Sequence, residues 1–160
     1  MIRVIALALA ALTLACSPRS AAEPAAAAQA RAQVHPESGL EVVPLVVVSG
    51  AQRHAFRVEV AASPQDQARG LMFRTRLGPD EGMIFPTRTP QMRGFWMKNT
   101  PLPLDIIFIG EDRRIMNIAA QTTPYSLESV YSAAPAIAVL EIAGGRAAEL
   151  GIEPGDRVDW

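Results

Sequence analysis

The sequence predicts a mainly β domain, β-rich α+β in class: a small antiparallel barrel-like or sandwich fold with one or two short helices. Three observations predict it. Short β-branched or alternating runs recur through residues 41–160, breaks rich in Pro and Gly separate them, and only two stretches carry helix signals.

The elements follow in order. Leu45 to Ser49 is a β-branched run, and His54 to Val60 alternates, with His54, Phe56, Val58 and Val60 on one face and Arg57 and Glu59 on the other. Gly50 to Arg53 reads as the hairpin between them. Ser63 offers a helix N-cap, Pro64 suits the first helical position and Asp66 complements the helix dipole, so a short helix should run to Arg69 and stop at Gly70. Gly82–Phe85, Met92–Met97, Leu104–Ile109 and Ile115–Ala120 are strand-length segments. Pro86–Pro90, Asn99–Pro103 and Gly110–Arg114 separate them. A long connection, Pro124–Ala134, leads to a strand at Ile137–Ile142, then a helical turn at Arg146–Leu150 ended by Gly151. A tight turn at Glu153–Asp156 delivers Arg157–Trp160 as the last strand.

Ahead of this domain, Met1–Ile2–Arg3 precedes an apolar run, Val4–Ala15, too short to cross a bilayer, which needs about 20 residues. Residues 1–16 therefore read as an export signal ending in a lipobox. Cys16, the sole cysteine, would carry the lipid and place the protein on the periplasmic side of the outer membrane. Thr13 stands where lipoboxes usually have leucine, and Thr13 with Ala15, or Ser20 with Ala22, also fits ordinary cleavage into the soluble periplasm. With one cysteine, no intramolecular disulfide can support the fold. Residues 17–40 are rich in Ala and Pro and poor in large apolar groups, which predicts a disordered tether. Residues 41–160 are one domain. Fifteen basic against sixteen acidic residues give a net charge of −1, which leaves no electrostatic case for nucleic acid.

The segment Phe95–Phe108 embeds Lys98 and Asp105 in apolar residues that simple packing would not ask for. With Gly70–Leu71–Met72–Phe73–Arg74, Gly82–Met83–Ile84–Phe85, Val139–Leu140–Glu141 and Gly151–Val158, it resembles the DUF192 family of bacterial and archaeal proteins across roughly residues 42–160. The resemblance implies a compact, mainly β domain and no established activity.

Two readings compete at Lys98 and Asp105. They could clip the bend at Pro101 and Pro103 as an ion pair, or floor a pocket in which Lys98 meets an anionic or carbonyl group; a mixed arrangement keeps Asp105 structural and Lys98 in a cleft beside Trp96. Asn99 would make an Asx-type turn. Trp96 could stack on Lys98 or on a ligand ring. Arg74, with Arg76, Arg88, Arg93 and Lys98, could form an anion-binding rim. Asp105 and Glu141 are the carboxylates whose apolar neighbours could raise their pKa for acid–base work. Met72, Met83, Met92 and Met97 suit Cu(I), yet their spacing favours core packing, and no metal or cofactor is implied.

The ligand-binding candidates are thus Arg74, Trp96, Lys98, Asn99, Asp105 and Glu141. The sequence points to an exported, non-enzymatic envelope module that binds a small molecule or an envelope protein, attached to the membrane through Cys16. The alternatives are a small hydrolase-like enzyme using Asp105 or Glu141 with Lys98, and a Cu(I)-handling protein using methionines and Trp96.

Overall fold

A computed structural model describes residues 33–160. The elements are β1 (Gln33–Val34), β2 (Glu41–Ser49), β3 (Gln52–Val60), α1 (Pro64–Arg69), β4 (Glu81–Gln91), β5 (Gly94–Phe95), β6 (Leu104–Ile109), β7 (Ile115–Ala119), β8 (Val130–Tyr131), β9 (Ala136–Ala143), α2 (Arg146–Leu150) and β10 (Arg157–Asp159). The main sheet runs β1-β2-β3-β4-β9-β6-β7, with β10 also on β2, and β5 pairs with β8 in a separate ribbon.

Local chemistry sets most boundaries. Gly50, at φ 55°, makes the two-residue connection that pairs Ser49 with Gln52. The Ser63 side chain accepts from the Asp66 N–H, Pro64 opens α1, and the Gly70 N–H bonds the Asp66 carbonyl at its end. α1 lies in a crossover of residues 61–80, long enough to return the chain parallel to its starting strand. Hence β3 and β4 are a parallel pair in a sheet expected to be antiparallel throughout.

Three further expectations change. β4 continues through Pro86 and Pro90, where a break was predicted; its ladder with β9 shifts register between Pro86 and Gln91, and irregular pairing of this kind tolerates proline. The strand expected over Met92–Met97 shrinks to Gly94–Phe95. Its pairing partner, β8, comes from the connection Pro124–Ala134, because the Met97 N–H bonds the Ser126 carbonyl instead of a ladder. Barrel closure does not occur either: β10 meets the residue ahead of β7 in one isolated bridge, Arg157 to Arg114, and forms no ladder with β7, so the fold is an open, sandwich-like sheet.

Order also begins ahead of residue 41. Gln33 and Val34 pair with Val42 and Glu41, and Ser38 bonds the Glu59 carboxylate, so residues 33–40 of the expected tether belong to the folded unit. The export signal, Cys16 and the tether up to residue 32 lie outside the described residues.

Apolar side chains pack on both faces of the sheet. Ile84, Ile107, Ile109, Leu140 and Ile142 join Leu45, Phe56 and Val158 on one face, while Met83, Phe85, Leu104, Ile106, Phe108 and Val139 join Leu71 and Met97 on the other. The alternation along β4, β6 and β9 assigns each residue its face. All of β6 is buried, so a polar residue within it must be satisfied internally.

Candidate functional site

Three loops are tied together around the Phe95–Thr100 segment. The Phe73 N–H donates to the Asn99 carbonyl at 2.7 Å, the Met97 N–H to the Ser126 carbonyl at 3.0 Å and the Tyr125 N–H to the Thr100 carbonyl at 3.2 Å. Four of the five non-glycine residues with positive φ in the described chain cluster in or beside these loops: Phe73 (65°), Asn99 (55°), Gln121 (47°) and Tyr125 (62°). Asn tolerates this backbone region, but for bulky aromatic residues it is a strained one.

Beside this junction opens a cleft of about 250 Å³. Trp96, Gln121, Thr123, Ser126 and Glu128 line it, with Met97 and Ile106 among its apolar lining. Trp96 is 45% exposed, and the Lys98 ammonium lies 5.1 Å from the centre of its ring. Lys98 itself is exposed.

Asp105 has a different task. It is fully buried, and its carboxylate accepts from the N–H groups of Gln121 (2.8 Å), Gly145 (2.9 Å) and Ala147 (2.8 Å). Gly145 and Ala147 open α2, which has no cap from its own N-cap side chain, so Asp105 caps it from across the fold. It forms no ion pair with Lys98, so of the readings weighed for this bend the clip gives way to these backbone bonds. Through Gln121 it also holds one wall of the cleft.

Glu141 points the other way. Asp105 pairs with Ile142 in the β6–β9 ladder, whereas Glu141 sits between Met83 and Ile106, on the sheet face opposite Asp105. The two carboxylates therefore do not form an acid–base pair. Glu141 is 5% exposed, accepts no bond from the described residues, and burial pushes its carboxyl up to about 8. It lies one strand from Ile106 and the cleft.

Arg74 is buried in a cluster that the sequence hid. Its Nη2 reaches both Glu59 oxygens at 2.8 and 2.7 Å, its Nε lies 3.3 Å from Glu37, and His35 Nδ1 lies 3.3 Å from Nη2. Glu59 alternates onto the same face as the exposed Arg57, but pairing with Arg74 buries it. The available signal was Arg74 itself, since a buried arginine requires a carboxylate. A groove of about 970 Å³ runs past this cluster and is lined also by Arg57, Arg76 and Glu81. Arg93 instead lies over Phe95 and bonds Gln67, and Arg88 is exposed on β4, so the arginines that could have formed a cationic rim are dispersed. Met83 and Met97 are core residues, while Met92 is 58% exposed.

The sequence profile of DUF192, described as Uncharacterized ACR, matches residues 45–160. The chain belongs to the DUF192 family. This DUF192 protein is similar to a protein of unknown function from Novosphingobium aromaticivorans DSM 12444, solved at 1.22 Å, with 55% identity and a TM-score of 0.80 over 86% of this chain and 99% of that one. It is also similar to a Sinorhizobium meliloti 1021 protein, provisionally named a transcription regulator, with 35% identity and a TM-score of 0.73 over 75% of this chain and 94% of that one. No curated protein matches the DUF192 chain.

Proposed function

We propose that this DUF192 protein is a non-enzymatic envelope module that takes a small, neutral, ring-bearing ligand into the cleft beside Trp96. The observation that carries the reading is the cleft's construction: an exposed Trp96 lines it together with Gln121, Thr123 and Ser126, and strained residues held by backbone bonds fix the surrounding loops. Indole offers a stacking face, and the amide and hydroxyl groups can exchange hydrogen bonds with a sugar- or nucleoside-like molecule. The size suits one ring system. A binding role is favoured over acid–base chemistry because the Asp105 carboxylate is fully engaged with backbone and Glu141 does not line the cleft.

Export, with lipidation at Cys16, completes the proposal and places the cleft at the cell envelope. A thermal-shift screen of neutral sugars and nucleosides tests the binding. A true ligand near 100 times its Kd raises stability by about 2.7 kcal/mol, a shift of roughly 10 °C. Trp96→Ala should abolish that shift. Equal stabilisation of wild type and Trp96→Ala would remove the cleft from consideration.

A further inference from the structure

We propose that the groove of about 970 Å³ beside the Glu59–Arg74 pair is a second binding site, for a small organic dianion bearing carboxylate or phosphate groups. It shares no lining residue with the cleft at Trp96, so it stands independently of the ligand proposed there. Three arginines line it. Arg57 comes from β3, where alternation puts it on the same face as Glu59, and Arg74 and Arg76 come from the crossover between α1 and β4.

What selects an anion is which groups have already found partners. Each groove carboxylate is engaged within the fold: Glu59 by Arg74 and the Ser38 hydroxyl, Glu37 by the Arg74 Nε at 3.3 Å, and Glu81 by the Gly78 N–H at 2.8 Å. The arginines keep donors to spare. Arg57 is exposed, and among the described residues its guanidinium bonds only the neutral side-chain oxygen of Gln33, although the β3–β4 register places it opposite Glu81. Arg76 is exposed too, and neither it nor Arg57 pairs with a carboxylate of the described residues. Arg74 is 5% exposed, yet its Nη1 makes no hydrogen bond among the described residues and keeps contact with solvent. The unspent capacity of the groove is therefore guanidinium N–H, whose planar fork matches carboxylate and phosphate oxygens. Two exposed forks are served by two carboxylates or by one phosphate. Three arginines and three glutamates leave the groove without net charge, so affinity comes from direct bonds and not from long-range attraction. Val34, Val42 and Leu77 add apolar lining for the organic body, and the volume is that of a small-molecule site.

The test titrates the full chain, purified in a nonionic detergent, with succinate and with glycerol phosphate in a calorimeter, sodium chloride at matched ionic strength being the control. Saturable binding of at least one dianion is expected, and the tighter of the two tells a carboxylate ligand from a phosphate one. Arg57→Gln and Arg76→Gln should each weaken that binding by about tenfold, the loss of one charge-assisted contact. Their thermal midpoints should match wild type, because both side chains are exposed and unpaired with any described carboxylate. Trp96→Ala should bind the dianion as wild type does, which separates this site from the cleft. The proposal is overturned if neither dianion binds beyond the sodium chloride control. Equal affinity of wild type and the Arg57→Gln, Arg76→Gln double variant would also overturn it, as would binding that disappears with Trp96→Ala.

Discussion

Replacing Asp105 by alanine tests the central structural claim, that this carboxylate organises the fold and does not serve as half of an ion pair with Lys98. The change strands three backbone N–H groups at once, those of Gln121, Gly145 and Ala147. A buried donor left without a partner costs about 1 to 3 kcal/mol, and bonds to a charged acceptor lie at the upper end. Some relief comes from water entering the space and from fraying of α2, only five residues long. The expected loss is about 4 to 6 kcal/mol, a large part of the 5 to 15 kcal/mol typical of a domain. Asp105→Asn keeps the shape and can retain the two bonds to Oδ1, but its amide faces the Ala147 N–H, donor against donor. A loss of about 2 to 3 kcal/mol follows. Lys98→Met removes only an exposed cation over Trp96, worth about 0.5 to 1 kcal/mol. Urea denaturation followed by circular dichroism measures all three. With ordinary urea dependence, the Asp105→Ala midpoint should fall by roughly 2 to 3 M. A midpoint for Asp105→Ala within about 0.5 M of wild type, or one for Lys98→Met as low as Asp105→Ala, would refute the assignment.

Glu141 gives a pH signature. Its folded carboxyl is raised from 4.5 to about 8 by burial, so between those values the folded state keeps a proton that the unfolded chain has released. Its contribution to stability is therefore complete below about pH 4.5, falls as pH rises through the window, and levels off above about 8, a change of several kcal/mol. Glu141→Gln should flatten that slope and be the more stable protein at pH 8, checked by denaturation across the range. Met83→Ala should cost about 2 to 5 kcal/mol in denaturant midpoints, with native mass spectrometry showing Cu(I) stoichiometry unaltered. Glu59→Gln and Arg74→Met should each destabilise by about 3 to 5 kcal/mol, and the double variant should recover much of that in a double-mutant cycle. Cys16→Ser should move the protein from the membrane fraction to the soluble fraction of cells, as read by immunoblot.

What was legible in the sequence was whatever local chemistry decides. Ser63, Pro64 and Gly70 announce α1 because capping and proline geometry act within one turn, and Leu104–Ile109 announces β6 because an apolar run of that length, interrupted only by Asp105, has few other uses. What escaped depends on partners far along the chain. Glu59 breaks its strand's alternation because Arg74 lies in the next loop, and β8 emerges from a connection because β5 is there to pair with it. The extension of β4 through Pro86 and Pro90 likewise reflects an irregular ladder with β9, a partner more than 40 residues on.

The two carboxylates show why the candidate site was harder to read than the fold. Asp105 and Glu141 each stand in an apolar run, and nothing in their neighbours distinguishes them. Their roles diverge through ladder register alone. Asp105 is opposite Ile142, and its side chain takes the face on which Gln121, Gly145 and Ala147 present N–H groups. Glu141 is opposite Ile106, one residue away along both strands, and takes the face where no described donor reaches it. Strand side chains alternate faces with a period of two, so a shift of one residue exchanges a fully bonded anion for an isolated acid. The same alternation brings Glu141 to the face that carries Met97 and Ile106, next to the cleft, while Asp105 supports that cleft from behind through Gln121. One carboxylate thus holds the loop in place, and the other is a buried acid that no described donor stabilises as an anion.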